Sequence, residues 1–158
     1  MEMKDSLVAN KVSFFYLYPQ LSLDHRQLLK NFISKIFIAE KKKMTQVVFI
    51  FCSDDYLLKI NQHYLKHDFY TDIITFDLSA KPGKIEGEIY ISVERIKDNA
   101  KAYGISTTQE LRRVMFHGIL HLCGYKDKVQ SQIDKMRARE DYYLNLYKKY
   151  LSREIRST

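Results

Sequence analysis

Two runs rich in β-branched residues, TDIITFDLS (71–79) and GEIYIS (87–92), flank a KPGKIE turn that contains Pro82 and Gly83. A connection this short joins neighbouring strands, so the two runs are expected to pair antiparallel. Two further strands are expected upstream, VSFFYLY (12–18), bounded by Pro19, and QVVFIFC (46–52). Between these runs the apolar spacing turns helical. Leu28, Leu29, Phe32, Ile33, Ile36 and Phe37 recur at three and four residues after Ser22, a candidate N-cap, and the lysines at 41–43 close that helix. Ser53 and Asp54 cap a second helix to about Tyr64. Val93 to Tyr103 forms a third, stopped by Gly104, and Thr107 or Thr108 begins a fourth that stops near Gly124. A fifth, amphipathic helix runs from Gln130 to about Leu151 and ends in a basic tail. The order β-α-β-α-β-β-α-α-α implies an α+β fold, a four-stranded mixed sheet covered by helices, with residues 1–158 as a single domain.

The fourth helix carries the densest chemistry. In FHGILHLCGYKDK (116–128), His117 and His121 lie one turn apart on one helix face, and the chain has only 5 histidines. From that face both imidazoles can address one ion, as on the zincin helix. Gly124 can take positive φ and turn the chain back, which lets Asp127 approach as a third ligand. Three protein ligands leave a fourth position for water, the arrangement of a catalytic rather than a closed structural zinc site. The same spacing also arises when two histidines merely pack on or project from a helix. Asp127, between Lys126 and Lys128, also reads as a surface acid.

Composition narrows the classes. A chain of 158 residues with 46% hydrophobic and 28% charged residues can bury a core unaided. No run reaches the ~20 apolar residues of a membrane span. The segment MEMKDSLVANKVSFFYLYP lacks the basic start and apolar centre of a signal peptide, so a cytoplasmic protein is expected. Cys52 and Cys123 sit in apolar contexts and read as reduced, structural thiols. An excess of 26 basic over 19 acidic residues, +7, suits a polyanionic partner as readily as simple solubility.

The histidine motif and two other blocks resemble the YbeY-type rRNA maturation factors, zinc-dependent endoribonucleases of bacteria. HGILHLCGYKD (117–127) resembles the family pattern H-G-x-L-H-L-x-G-Y-D-H. His117, Gly118, Leu120, His121, Leu122, Gly124 and Tyr125 agree, and the last two positions differ. INQHYLKHDFYTDIITF (60–76) is similar to L-N-x-x-Y-R-x-K-D-x-P-T-D-V-L-S-F, and GEIYIS to G-D-I-x-I-S. The resemblance implies a zincin-related α+β fold, one Zn2+ per chain on His117, His121 and Asp127, and cleavage of single-stranded rRNA. The implied role is 3′-end maturation of 16S rRNA and ribosome quality control, in association with the small ribosomal subunit.

Three departures bear on activity. Asp127 replaces the third histidine and adds a negative charge, which lowers the Lewis acidity of the metal. Lys126 replaces the acid before it. Leu65 replaces an arginine, a position for which Lys66 or His67 can substitute. Candidates for the general base are His67, Asp72 and Glu110. Each has a plainer reading: a surface pair with Asp68, a strand-start cap and a helix-dipole residue, respectively. Lys66, Lys126 and Lys128 are the candidates for holding RNA phosphates.

Two rival functions remain open at this point. A zinc protease of the H-E-x-x-H type uses the glutamate after the first histidine as its base, and that position here is Gly118. A non-catalytic ribosome-assembly factor with a structural metal would bind rRNA without cutting it.

Overall fold

A computed structural model describes residues 11–157 of the chain. Most of the segment scanned for a leader, residues 1–10, lies outside them. The strands are β1 (Val12–Tyr16), β2 (Lys43–Cys52), β3 (Ile73–Asp77) and β4 (Lys84–Ser92). The helices are α1 (Arg26–Ala39), α2 (Asp54–Leu65), α3 (Val93–Tyr103), α4 (Thr107–Leu122) and α5 (Gln130–Arg156).

The sheet is mixed, in the order β1-β2-β4-β3. β1 and β4 flank β2 in parallel, and β3 pairs antiparallel with β4, as the short turn requires. Strand periodicity sorts the side chains onto two faces. Val47, Phe49, Phe51, Ile85, Ile89 and Ile91 join the main core with Ile33 and Phe37 of α1, Phe116 and Ile119 of α4, and Tyr143 and Tyr147 of α5. On the other face Cys52, Ile74, Phe76 and Tyr90 meet Leu57 and Ile60 of α2 in a smaller cluster. The sequence order and strand count therefore hold, and helices cover both faces.

Local signals account for most helix ends. Ser53 and Ser92 are N-caps whose hydroxyls accept from Tyr56 N–H and Arg95 N–H, each at 3.1 Å. Gly104 ends α3 in the left-handed region. Ser22 does not cap α1. Leu21 and Leu23 are drawn onto the core, and the helix starts only at Arg26, behind a left-handed His25. The basic C-terminal stretch is helical to Arg156, not a free tail. Cys52 and Cys123 are free and buried, and burial pushes both thiols up to about 12, which makes them unreactive.

Gly118 has a packing role. A Cβ there would stand 2.9 Å from Ile73 Cδ1 and 3.1 Å from Ile89 Cδ1. The absence of a side chain lets α4 lie directly on β3 and β4, which sets the depth of the histidines that flank it. Gly118→Val is expected to destabilise the fold by roughly 3 kcal/mol, because overpacking outweighs any gain in helix propensity. A melting temperature unchanged by that substitution would refute the packing role.

Candidate metal centre and cleft

α4 opens with a capping box in which Ser106 Oγ accepts from Gln109 N–H at 3.1 Å and the Gln109 side chain returns to the Ser106 amide. It closes with a Schellman turn: Tyr125 N–H donates to Leu120 O and Gly124 N–H to His121 O, both at 3.0 Å. Gly124 sits at φ 103°, where any other residue would be strained. The chain reverses there and brings Asp127 back beside the two histidines.

His117 Nε2 and His121 Nε2 are 3.0 Å apart, and Asp127 Oδ2 lies 3.3 Å from the first and 3.2 Å from the second. The other ring nitrogens explain why these three atoms converge. His121 Nδ1 faces the Tyr125 carbonyl at 3.0 Å, and a carbonyl only accepts, so Nδ1 carries the proton and Nε2 presents a lone pair. His117 Nδ1 lies 2.8 Å from Glu140 Oε2, which selects the same tautomer. With both rings neutral, two nitrogen lone pairs and a carboxylate oxygen thus point at one another, an arrangement that a metal ion or a proton relieves. A tetrahedral ion with bonds of ~2.0–2.1 Å requires ligand separations of about 3.3–3.4 Å, close to the triangle observed. The three residues can hold a metal ion.

Two networks brace this cluster. Glu140 is almost wholly buried and also accepts from Arg113 Nη1 at 3.0 Å, while Arg113 Nη2 reaches Asp141 at 2.6 Å. Burial disfavours the charged His117 ring, but the Glu140 hydrogen bond and charge, with Asp127 and Asp72, outweigh it and raise its pKa. On the far side, Tyr125 O–H donates to Glu40 at 2.5 Å and Arg139 bonds both groups, which fastens the turn whose carbonyl orients His121. Burial works against the Glu40 carboxylate, yet the hydrogen bonds from Tyr125 and Arg139 hold its pKa below the ordinary range.

The cluster lies in a cleft of about 460 Å³ bordered by α2, the loop that follows it, β3 and α4. A second cavity of about 330 Å³ adjoins it and shares Asp72, Ile73, His117 and Asp127. Of the candidate bases, Asp72 faces both cavities. Burial pushes its carboxyl up, only partly offset by His117 and by backbone N–H groups, and Asn99 donates to it at 3.3 Å. Glu110 is buried beside the second cavity and does not line the first, with Oε2 unpartnered among the described residues and its pKa raised by burial and then by Asp72. It also stands in the first turn of α4, as a helix-dipole residue would. His67 lines the first cleft and stacks on Phe69, whereas Asp68 bonds Gln62.

The three lysines chosen as phosphate ligands do not line the cleft. Lys66 forms the left-handed C-cap of α2, Lys126 borders a separate hollow beside Tyr125, and the Lys128 amide bonds Gln132. Their neighbours Leu65, His67 and Asp127 line it, and the three lysines do not. Sequence reasoning missed Glu140. The signal was present: Met136, Glu140, Tyr143 and Tyr147 form one buried stripe of α5, and an acid on such a stripe calls for a partner.

An α+β domain with a two-histidine helix, a returning carboxylate and an open cleft defines the class of proteins with a site able to hold a metal ion. Comparison with known proteins narrows it. The profile of the family described as Endoribonuclease YbeY matches residues 19–148. An Endoribonuclease YbeY of Cytophaga hutchinsonii is 47% identical over 137 residues, covering 87% of this chain and 96% of the relative. That of Porphyromonas gingivalis is 37% identical, over 92% and 95% of the two chains. A solution structure of a Thermotoga maritima protein superposes with a TM-score of 0.55 at 26% identity, covering 92% of each chain. The chain belongs to the YbeY endoribonuclease family. Among the described residues no helix is long and apolar enough to cross a membrane.

Proposed function

We propose that the chain is a metal-dependent endoribonuclease that cuts single-stranded RNA, with His117, His121 and Asp127 holding one Zn2+. The observation that carries this reading is the convergence of two imidazole nitrogens and a carboxylate oxygen at 3.0–3.3 Å in an open cleft, in a chain of this family. When bound, the ion supplies Lewis acidity to a scissile phosphate and a lowered pKa to a coordinated water. Glu140 fixes the His117 tautomer, and the Tyr125 carbonyl fixes that of His121.

Asp72 is the proposed general base. It stands beside His117 at the boundary of both cavities, and burial gives its carboxylate a basicity above the ordinary aspartate range. Asp72→Asn is expected to lower kcat for single-stranded RNA by ~10²-fold or more with metal content unchanged. An undiminished kcat would remove Asp72 from the reaction. Gly118 argues against peptide hydrolysis on structural grounds as well, since that position faces Ile73 and Ile89 and not the cleft.

The proposed setting is cytoplasmic, with 16S rRNA 3′-end maturation on the small ribosomal subunit as the task and the +7 charge suiting that partner. Purified protein should cut single-stranded rRNA precursor while sparing duplex RNA. Binding to that RNA with no cleavage by metal-loaded protein would instead favour the assembly-factor reading.

A further inference from the structure

A cleft that receives a nucleic acid strand usually carries lysine or arginine along its walls. Among the described residues none lines the cleft beside His117 and His121; its acids are Asp72, Asp77 and Asp127. The wall contributed by the loop after α2 offers apolar and ring surface instead, from Leu65, His67 and Phe69. Phe69 is 56% exposed, and the His67 ring lies nearly parallel to it, with centroids 5.1 Å apart and planes inclined by 22°.

A single exposed phenylalanine is ordinary on a protein surface. This one is held in place. Lys66 turns the chain at φ 58°, His67 N–H donates to Asn61 O at 3.2 Å, and the buried Asn61 amide donates to Phe69 O at 2.9 Å. Gln62 bonds Asp68 at 2.5 Å across the same loop. The backbone on both sides of the ring pair is thus tied to α2, while the small core on this side of the sheet is completed by Leu57, Ile60 and Ile74 without Phe69. The rings are a fixed feature of the same cavity as the metal-type cluster.

We propose that His67 and Phe69 form a base-stacking subsite in which one unpaired base of single-stranded RNA rests on the exposed Phe69 ring and the adjoining strand runs on towards His117, His121 and Asp127. The proposal deepens the ribonuclease reading and rests on it for the identity of the ligand. Stacking accepts any base, because each has a π-face. A duplex cannot use the subsite, since its bases are already stacked and paired. Affinity contributed here also persists in salt, unlike affinity from phosphate contacts.

The chain contains no tryptophan, so Phe69→Trp introduces a single tryptophan, selectively excitable beside the tyrosines, that retains a stacking face. On stopped-flow mixing, metal-loaded F69W should be quenched by single-stranded oligouridine and not by an abasic ribose-phosphate oligomer of the same length. Phe69→Ala should weaken oligouridine binding by roughly 5- to 100-fold, with an unchanged melting temperature because the ring is exposed. Equal quenching by both oligomers, or unchanged affinity in F69A, would overturn the subsite. Cleavage without quenching would overturn the subsite alone. Base-dependent quenching without cleavage would support the subsite while contradicting the ribonuclease reading.

Discussion

His121→Ala is expected to reduce bound zinc from one equivalent per chain to background and to reduce cleavage of single-stranded RNA by at least ~10³-fold. Lewis-acid catalysis supplies several kcal/mol of transition-state stabilisation, and each 1.36 kcal/mol corresponds to a factor of ten. His121 is the cleaner choice of the two histidines. Its Nδ1 bonds only the Tyr125 carbonyl, and the turn it touches is held independently by Tyr125, Glu40 and Arg139. The melting temperature of the metal-free variant should therefore stay near that of metal-free wild type. His117→Ala should abolish activity equally, but it also strips a partner from a buried carboxylate, so its stability should fall. Elemental analysis, cleavage assays and thermal melts on the same preparations separate these effects. Wild-type cleavage by His121→Ala would refute the assignment.

The second large effect is expected at Glu140, a residue that touches no substrate in this scheme. Glu140→Ala should weaken zinc binding by 10–100-fold, the usual consequence of losing the hydrogen-bonded partner of a ligating histidine. It should also cost roughly 3 kcal/mol or more in stability, because Glu140 is the nearly buried half of an ion pair with Arg113. Glu140→Gln still offers an oxygen to His117 Nδ1–H, so its zinc affinity should fall less than that of the alanine variant. Competition titration with a zinc-binding dye measures this order. Equal affinities in wild type, Gln and Ala variants would show that Glu140 serves stability alone.

How much of this was legible beforehand follows from the range of each interaction. The histidine pair, Gly124 and Asp127 fall within eleven residues, and helix pitch plus one Schellman turn determines their mutual position. Ser53 and Gly104 were equally readable, because caps are settled within a turn of chain. Ser22 failed because a tertiary demand, the burial of Leu21 and Leu23, overrode a local preference. The order β1-β2-β4-β3 depends on crossovers that no local spacing encodes. Glu140 stands 23 residues from His117, and only its place on the buried stripe of α5 hinted at a partner. Lys126 and Lys128 show the converse. Adjacency to Asp127 in sequence did not bring either lysine into the cleft.

Asp127, the proposed third ligand, brings a negative charge to the cluster. An anionic third ligand should leave the bound water less acidic than a neutral imidazole would. Asp127→His, which removes that charge, is therefore expected to shift the rising limb of the cleavage pH profile to lower pH. A limb that stays in place or moves up would contradict the role given to Asp127.

The most direct measurement is reconstitution. Protein stripped with a chelator and freed of contaminating nuclease is titrated with zinc while metal content and cleavage of single-stranded RNA are followed together. Cleavage should be absent at the start, rise in proportion to bound zinc and saturate at one equivalent per chain. Full cleavage by the stripped protein, or no cleavage with the His117, His121 and Asp127 site filled, would contradict the account.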